Sequence, residues 1–220
     1  QDDLNFNLET KVKYYDLLVS GAFGTYRQLL EEVTLNPAMG LWLSHHGNMK
    51  ANPVKGTAPD ENYAREVQQL FTIGLVQLQP DGTLVLDATG QPIPTYNQAT
   101  ISETAKILTG WQYAVAPATS TSESTFTANG PGGTTYPAPL PDTHPWLVPM
   151  RYYDAFHDKT AKSIVSLQQV PLAEATPTPV PANQTGPQDL KIILDKLLHP
   201  TTTGPFIAKQ LIQRLVASNP

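Results

Sequence analysis

Pro59–Gly74, PDENYAREVQQLFTIG, decides how the rest of the chain is read. Asp60 follows a proline and precedes a helical pattern. Its carboxylate suits the free amides and partial positive charge of a first helical turn. Tyr63, Val67, Leu70 and Phe71 recur at i, i+4, i+7 and i+8, the apolar stripe of an amphipathic helix. Gly74 supplies the stop, because glycine enters the left-handed region without a Cβ clash. At about 100° per residue, Glu61, Arg65, Gln68 and Thr72 fall opposite the stripe, on the solvated side. Asn62, Glu66 and Gln69 lie on the flank. Glu66, nearest the apolar edge, is either paired in a packed interior or lines a cleft.

Helical patterns flank this stretch on both sides. Residues 7–22 carry Val12, Tyr15, Leu18 and Val19 on one side. Thr25–Leu35 turns Tyr26, Leu29, Leu30 and Val33 inward. Asn36-Pro37 pairs a capping residue with proline at the first helical position and opens a short helix to His45. After the central helix, two short β-prone runs surround Pro80-Asp81-Gly82, a hairpin over Leu75–Leu86. Thr100 and Glu103 have capping-box spacing, and the helix they open runs to Trp111, read as a core plug. Pro187–Leu198 buries Leu190, Ile193, Leu194 and Leu197. Phe206–Ala217 centres on Ile207, Leu211 and Leu215. Between these helices, Ala114–Pro187 holds 12 of the 21 prolines. Proline at that density does not sustain helix. The fold expected is mainly α: one irregular helical domain over residues 1–220, with one small β-hairpin. Irregular insertions at 114–150 and 167–186 form long Pro/Gly/Thr-rich surface loops, and Ala118–Pro141 is expected to have little regular structure.

Composition removes several functions. The net charge is −5, against a general binder of phosphate backbones, so no nucleic-acid partner is expected. No apolar run reaches the length of a membrane span. Cysteine is absent, which excludes disulfides, thiolate zinc sites and cysteine nucleophiles. No P-loop, GxSxG elbow, GxGxxG or HExxH is present, and no motif names a cofactor.

Five blocks resemble one family, and they occur in its order along nearly the whole chain. They are Asp60–Gly74, Ala105–Trp111 (AKILTGW), Tyr26–Leu43 (YRQLLEEVTLNPAMGLWL), Phe156–Lys162 (FHDKTAK) and His199–Pro220 (HPTTTGPFIAKQLIQRLVASNP). The family is the bacterial one catalogued as domain of unknown function 1800. The resemblance implies a mostly helical, usually exported protein, periplasmic or extracellular, often encoded beside a second exported protein that is a candidate partner. It also implies a longer whole, with a histidine-containing helical segment upstream of Gln1 and more chain after Pro220. It brings no established activity and no established catalytic residues.

The candidate site therefore rests on residue types. His157 and Asp158 adjoin, and with Glu66 they are the catalytic candidates. Asn62, Arg65 and Trp111 are the binding candidates. No metal is expected, but His45, His46, Glu66 and His157 form the set that would suit zinc, iron or manganese if the fold united them. Adjacent His45 and His46 point apart and cannot both serve one ion. The role expected for such an imidazole is contact with the negative end of a helix. Two functions follow. The first is an exported helical protein that binds a partner or takes part in surface assembly. The second is a metal-assisted oxidoreductase or hydrolase with its site at the Glu66 helix.

Overall fold

The computed structural model describes residues 8–114, 145–165, 177–198 and 202–217. Ala118–Pro141 lies outside them. Among the described residues there are seven α-helices: α1 Leu8–Gly21, α2 Tyr26–Thr34, α3 Pro37–Trp42, α4 Asn62–Gln69, α5 Gln98–Ile107, α6 Gly186–Leu197 and α7 Thr203–Leu215. Two small antiparallel sheets join them. β1 (Trp111–Gln112) pairs with β2 (Arg151–Tyr152), setting Trp111 opposite Tyr152. β3 (Lys162–Ile164) pairs with β4 (Thr178–Val180), setting Lys162 opposite Val180. The architecture is mainly helical, as the spacing of apolar residues required.

One apolar core runs through these elements. Leu30 and Val33 of α2, Tyr63 and Val67 of α4, Ile101 and Ala105 of α5, Trp111, Ile164, and Leu190, Ile193, Leu194 and Leu197 of α6 all belong to it. The stripe of α6 is buried as expected: Leu190, Ile193, Leu194 and Leu197 are each at most 2% exposed. Asn36 caps α3 by accepting from the Ala38 amide, with Pro37 at the first position.

Several expectations are corrected. The central helix stops at Gln69, five residues short of Gly74. Ile73 and Gly74 both donate to the Gln68 carbonyl, and Gly74 takes φ +71°. Gln68, inside the helix, is fully buried with its amide donating to the Ala64 carbonyl, while in the closing turn Thr72 is fully buried and Leu70 is 51% exposed. Helical phase cannot place a residue beyond the helix's end. At the start, Glu61 is the cap residue, and Asp60 accepts from the Asn62 amide at 2.8 Å. α5 is capped by Asn97, which exchanges hydrogen bonds with Thr100. Glu103 instead meets Lys106 and accepts from the Ser163 amide. Leu211 is 54% exposed. β4 lies inside the stretch 167–186, where an irregular insertion was expected. Strands of two or three residues are too short to show alternation.

The hairpin is present and is part of something larger. Leu78 bridges Leu84, while Val76 and Leu86 bridge Pro94 and Pro92. Gln77 donates to Ile93, Ile93 to Val85, and Val85 to Gln77, closing a ring of three segments. Asp81 and Asp87 accept from the amides two residues on and fix the two turns. Pro92 and Pro94 have no amide, so the third segment donates through Ile93 and Thr95.

Candidate functional site

The structure scatters most of the residues that sequence reasoning grouped. Glu66 is half-buried on the flank of α4. Its charge is felt by Tyr96, whose phenol is pushed up first by burial, with Arg65 opposing and Glu66 adding. Asn62 is exposed. Arg65 reaches Gln98 and Glu61 across the surface between α4 and α5. Trp111 is a core residue, 1% exposed. His46 lies half-buried against the ring of Tyr113.

His45 does meet a helix C-terminus, that of α2. Its Nε2 donates to the Thr34 carbonyl at 2.7 Å, and its ring stacks on Tyr63 at 3.9 Å. Thr34 Oγ1 donates to Leu30, so the Tyr63 hydroxyl, 2.7 Å away, donates to Thr34. Burial lowers the His45 pKa to about 4, with the Thr34 bond opposing and His46 adding, so the ring is neutral at pH 7. Burial likewise pushes the Tyr63 phenol up. Among the described residues, no three His, Asp or Glu side chains come together to hold an ion.

His157 belongs to a different assembly. Thr109 follows α5, and Gly110 after it takes φ +87°. A Cβ at Gly110 would stand 3.0 Å from the Tyr153 carbonyl and 3.1 Å from His157 Cβ, so only glycine lets the 153–157 segment close. There His157 Nδ1 lies 2.9 Å from the Thr109 carbonyl and must donate to it. Thr109 Oγ1 donates to Lys106 and accepts from the Asp158 amide. His157 Nε2 faces Asp189 Oδ2 at 3.2 Å, and Lys162 Nζ reaches the same oxygen at 2.7 Å. Lys162 also donates to the Thr160 carbonyl. The side chains of His157, Lys162 and Asp189 have no solvent exposure. The rings of Tyr152 and His157 meet edge to face, and Tyr152 packs closely against Gly186. Asp158 turns away, accepting from the amide and hydroxyl of Thr160. The two catalytic candidates adjacent in sequence thus do different work.

The described parts of the blocks that carried the resemblance lie in α2, α3, α4, α5, the 156–162 segment and α7. A family model described as "Protein of unknown function (DUF1800)" matches residues 4–220. The chain belongs to the DUF1800 family. No curated protein and no solved structure matches it.

In this DUF1800 chain, Lys162 and Asp189 were missed from sequence. A trace of Asp189 was there to find. It lies four residues before Ile193 and eight before Leu197, so it continues their buried line on α6. Lys162 sits in a three-residue strand and left no comparable mark.

A cleft of about 690 Å³ opens elsewhere, between α1, α2 and the turn at Pro145–Leu147, with Trp146 in its wall. Within it Arg27 donates to Glu31 at 2.6 Å and to Asp195 at 2.7 Å. Two helical faces are also open. On α1, Thr10, Tyr14, Leu17 and Gly21 face the body, while Leu8, Val12, Tyr15 and Val19 are 50–73% exposed. On α7, Phe206 packs against Gly74, while Leu211, Ile212, Leu215 and Val216 are 41–80% exposed. Among the described residues, no helix is long and apolar enough to cross a membrane.

Proposed function

We propose that this DUF1800 protein is an exported docking protein, whose partner supplies an amphipathic helix that packs along α1. One observation carries the proposal: α1 is apolar on two opposite sides. Both sides repeat with 4-3-4 spacing, Thr10-Tyr14-Leu17-Gly21 inward and Leu8-Val12-Tyr15-Val19 outward. That spacing is the seam into which another helix sets its side chains. A helix with a single partner needs one such seam, so the outer one is built for contact beyond the body. α7 adds a second contact of defined charge. Its outward apolar face is flanked by Lys209 and Arg214, and the helix contains no acid. A partner crossing it is matched by carboxylates at its own edge. Export enters through the family resemblance, and the absence of cysteine agrees with it.

The test is a photo-crosslinker at position 12 or 19, in cells that make the protein naturally, with position 13 as the control. Support is a crosslink from 12 and 19 but not from 13, mapped to an amphipathic, acid-bearing helix of another protein. The same crosslink is expected to disappear when Tyr15→Asp puts a charge in the middle of the outer seam. Equal crosslinking from position 13, or crosslinks only to a second copy of this chain, overturns the proposal.

A further inference from the structure

We propose that Lys162 and Asp189 become joined by an intramolecular isopeptide bond, formed by the folded protein without any other reactant. The proposal rests on the placement of atoms in the buried cluster, and not on the docking proposal.

The Thr109 carbonyl fixes a proton on His157 Nδ1. In a neutral imidazole, Nε2 then carries a lone pair. That lone pair faces Asp189 Oδ2, itself an acceptor when ionised, at 3.2 Å. A proton placed between them would make this contact a hydrogen bond. Within the cluster the ammonium of Lys162, whose Nζ touches the same oxygen at 2.7 Å, can supply it. Moving that proton leaves a free amine at Lys162 and either a carboxylic acid or an imidazolium–carboxylate pair at Asp189 and His157. Amide formation proceeds through the amine-and-acid form, and the three side chains it needs lie together with no solvent exposure.

Amine and acid are the two reactants of amide formation, and they are held together. A C–O bond is about 1.23 Å long, so Nζ lies within about 4 Å of Asp189 Cγ. The fold has already met the entropic cost of bringing them into contact. In the step, the Nζ lone pair forms a bond to Cγ. His157 Nε2 accepts a proton from the nitrogen and delivers it to Oδ2. The Cγ–Oδ2 bond breaks, and Oδ2 leaves as water with its own proton and the one delivered. Nothing is oxidised or reduced. The product is a neutral amide and one water. Its single carbonyl oxygen replaces a carboxylate whose Oδ1 has no hydrogen-bond partner among the described residues. The bond ties β3 to α6, so that Lys162 and Asp189 close a covalent loop through β4.

The intact mass of the protein with its sequence unaltered, measured after full denaturation, tests this directly and needs no variant to fold. The expected mass is one water below that of the sequence. Trypsin is expected to leave the bond after Lys162 uncut and to yield a branched peptide joining Lys162 to Asp189. Lys162→Ala and Asp189→Ala are each expected to restore the full mass. Full mass with a linear Lys162 peptide, in protein folded by circular dichroism, overturns the proposal. So does loss of water mapped to Asp81-Gly82, where a cyclic imide would cause the same deficit.

Discussion

His45 ties the stability of this fold to pH in a window that can be worked out. Its pKa falls from an ordinary 6.5 to about 4 in the folded protein because burial penalises the charged ring. Protonation would add an N–H at Nδ1, which has no hydrogen-bond partner among the described residues. The unfolded chain therefore binds a proton more readily than the folded one between these values. The stabilisation is complete above pH 6.5 and is lost as pH falls towards 4. At 1.36 kcal/mol per unit the whole effect is about 3 kcal/mol, and about 2 kcal/mol of it is lost between pH 7 and pH 5. The lowered carboxylates, Asp158 and Asp195 among them, lose their contributions further down, near and below the ordinary aspartate range. A scan from about pH 7.5 to 5 thus isolates histidine. The measurement is urea unfolding at each pH for the parent protein and for His45→Phe. The variant keeps a ring on Tyr63 and removes the titration. It is expected to be about 1 kcal/mol less stable at pH 7, for the lost bond to Thr34, and much flatter towards pH 5. His46, also lowered by burial, accounts for a residual slope of the same sign. An equal slope in parent and variant would refute the reasoning, as would a parent whose stability does not change across the window.

Other outcomes follow from particular contacts. Gly74→Ala places a Cβ 2.7 Å from the Phe206 ring at φ +71°, so α7 is expected to loosen, read as faster amide exchange across 203–215. Leu194→Ala empties a site 1% exposed and is expected to cost about 2–5 kcal/mol in urea unfolding. Tyr63→Phe removes one buried hydroxyl bonded to Thr34 and is expected to cost about 1 kcal/mol. Val12→Asp lies on the open seam and is expected to stay within about 0.5 kcal/mol of the parent in the same assay.

Much of the fold was legible from local pattern. The stripe of α6, Leu30 and Val33 of α2 (though not Tyr26, expected inward and 38% exposed), the Asn36-Pro37 cap, the left-handed turn at Gly74 and the turn at Asp81-Gly82 each depend on neighbours within about eight residues, the range over which helix and turn geometry acts. The family was legible for the same reason, since its marks are short contiguous blocks. The outer seam of α1 was also visible as Val12, Tyr15 and Val19, but its direction was not. A helix apolar on both sides gives no phase by which to choose the buried one. Leu70 and Leu211 show the same limit from the other side: apolar spacing marks a stripe, and only packing says whether anything lies against it. The buried cluster was beyond local pattern altogether. Thr109, His157, Lys162 and Asp189 are up to 80 residues apart, and what unites them is the closing of the chain over Gly110 and the pairing of β3 with β4 against α6. Sequence determined which segments are helical and which faces are apolar, because those follow from the backbone's own periodicity. Tertiary structure alone decided which polar side chains share the interior, because that depends on contacts the chain makes with its distant parts.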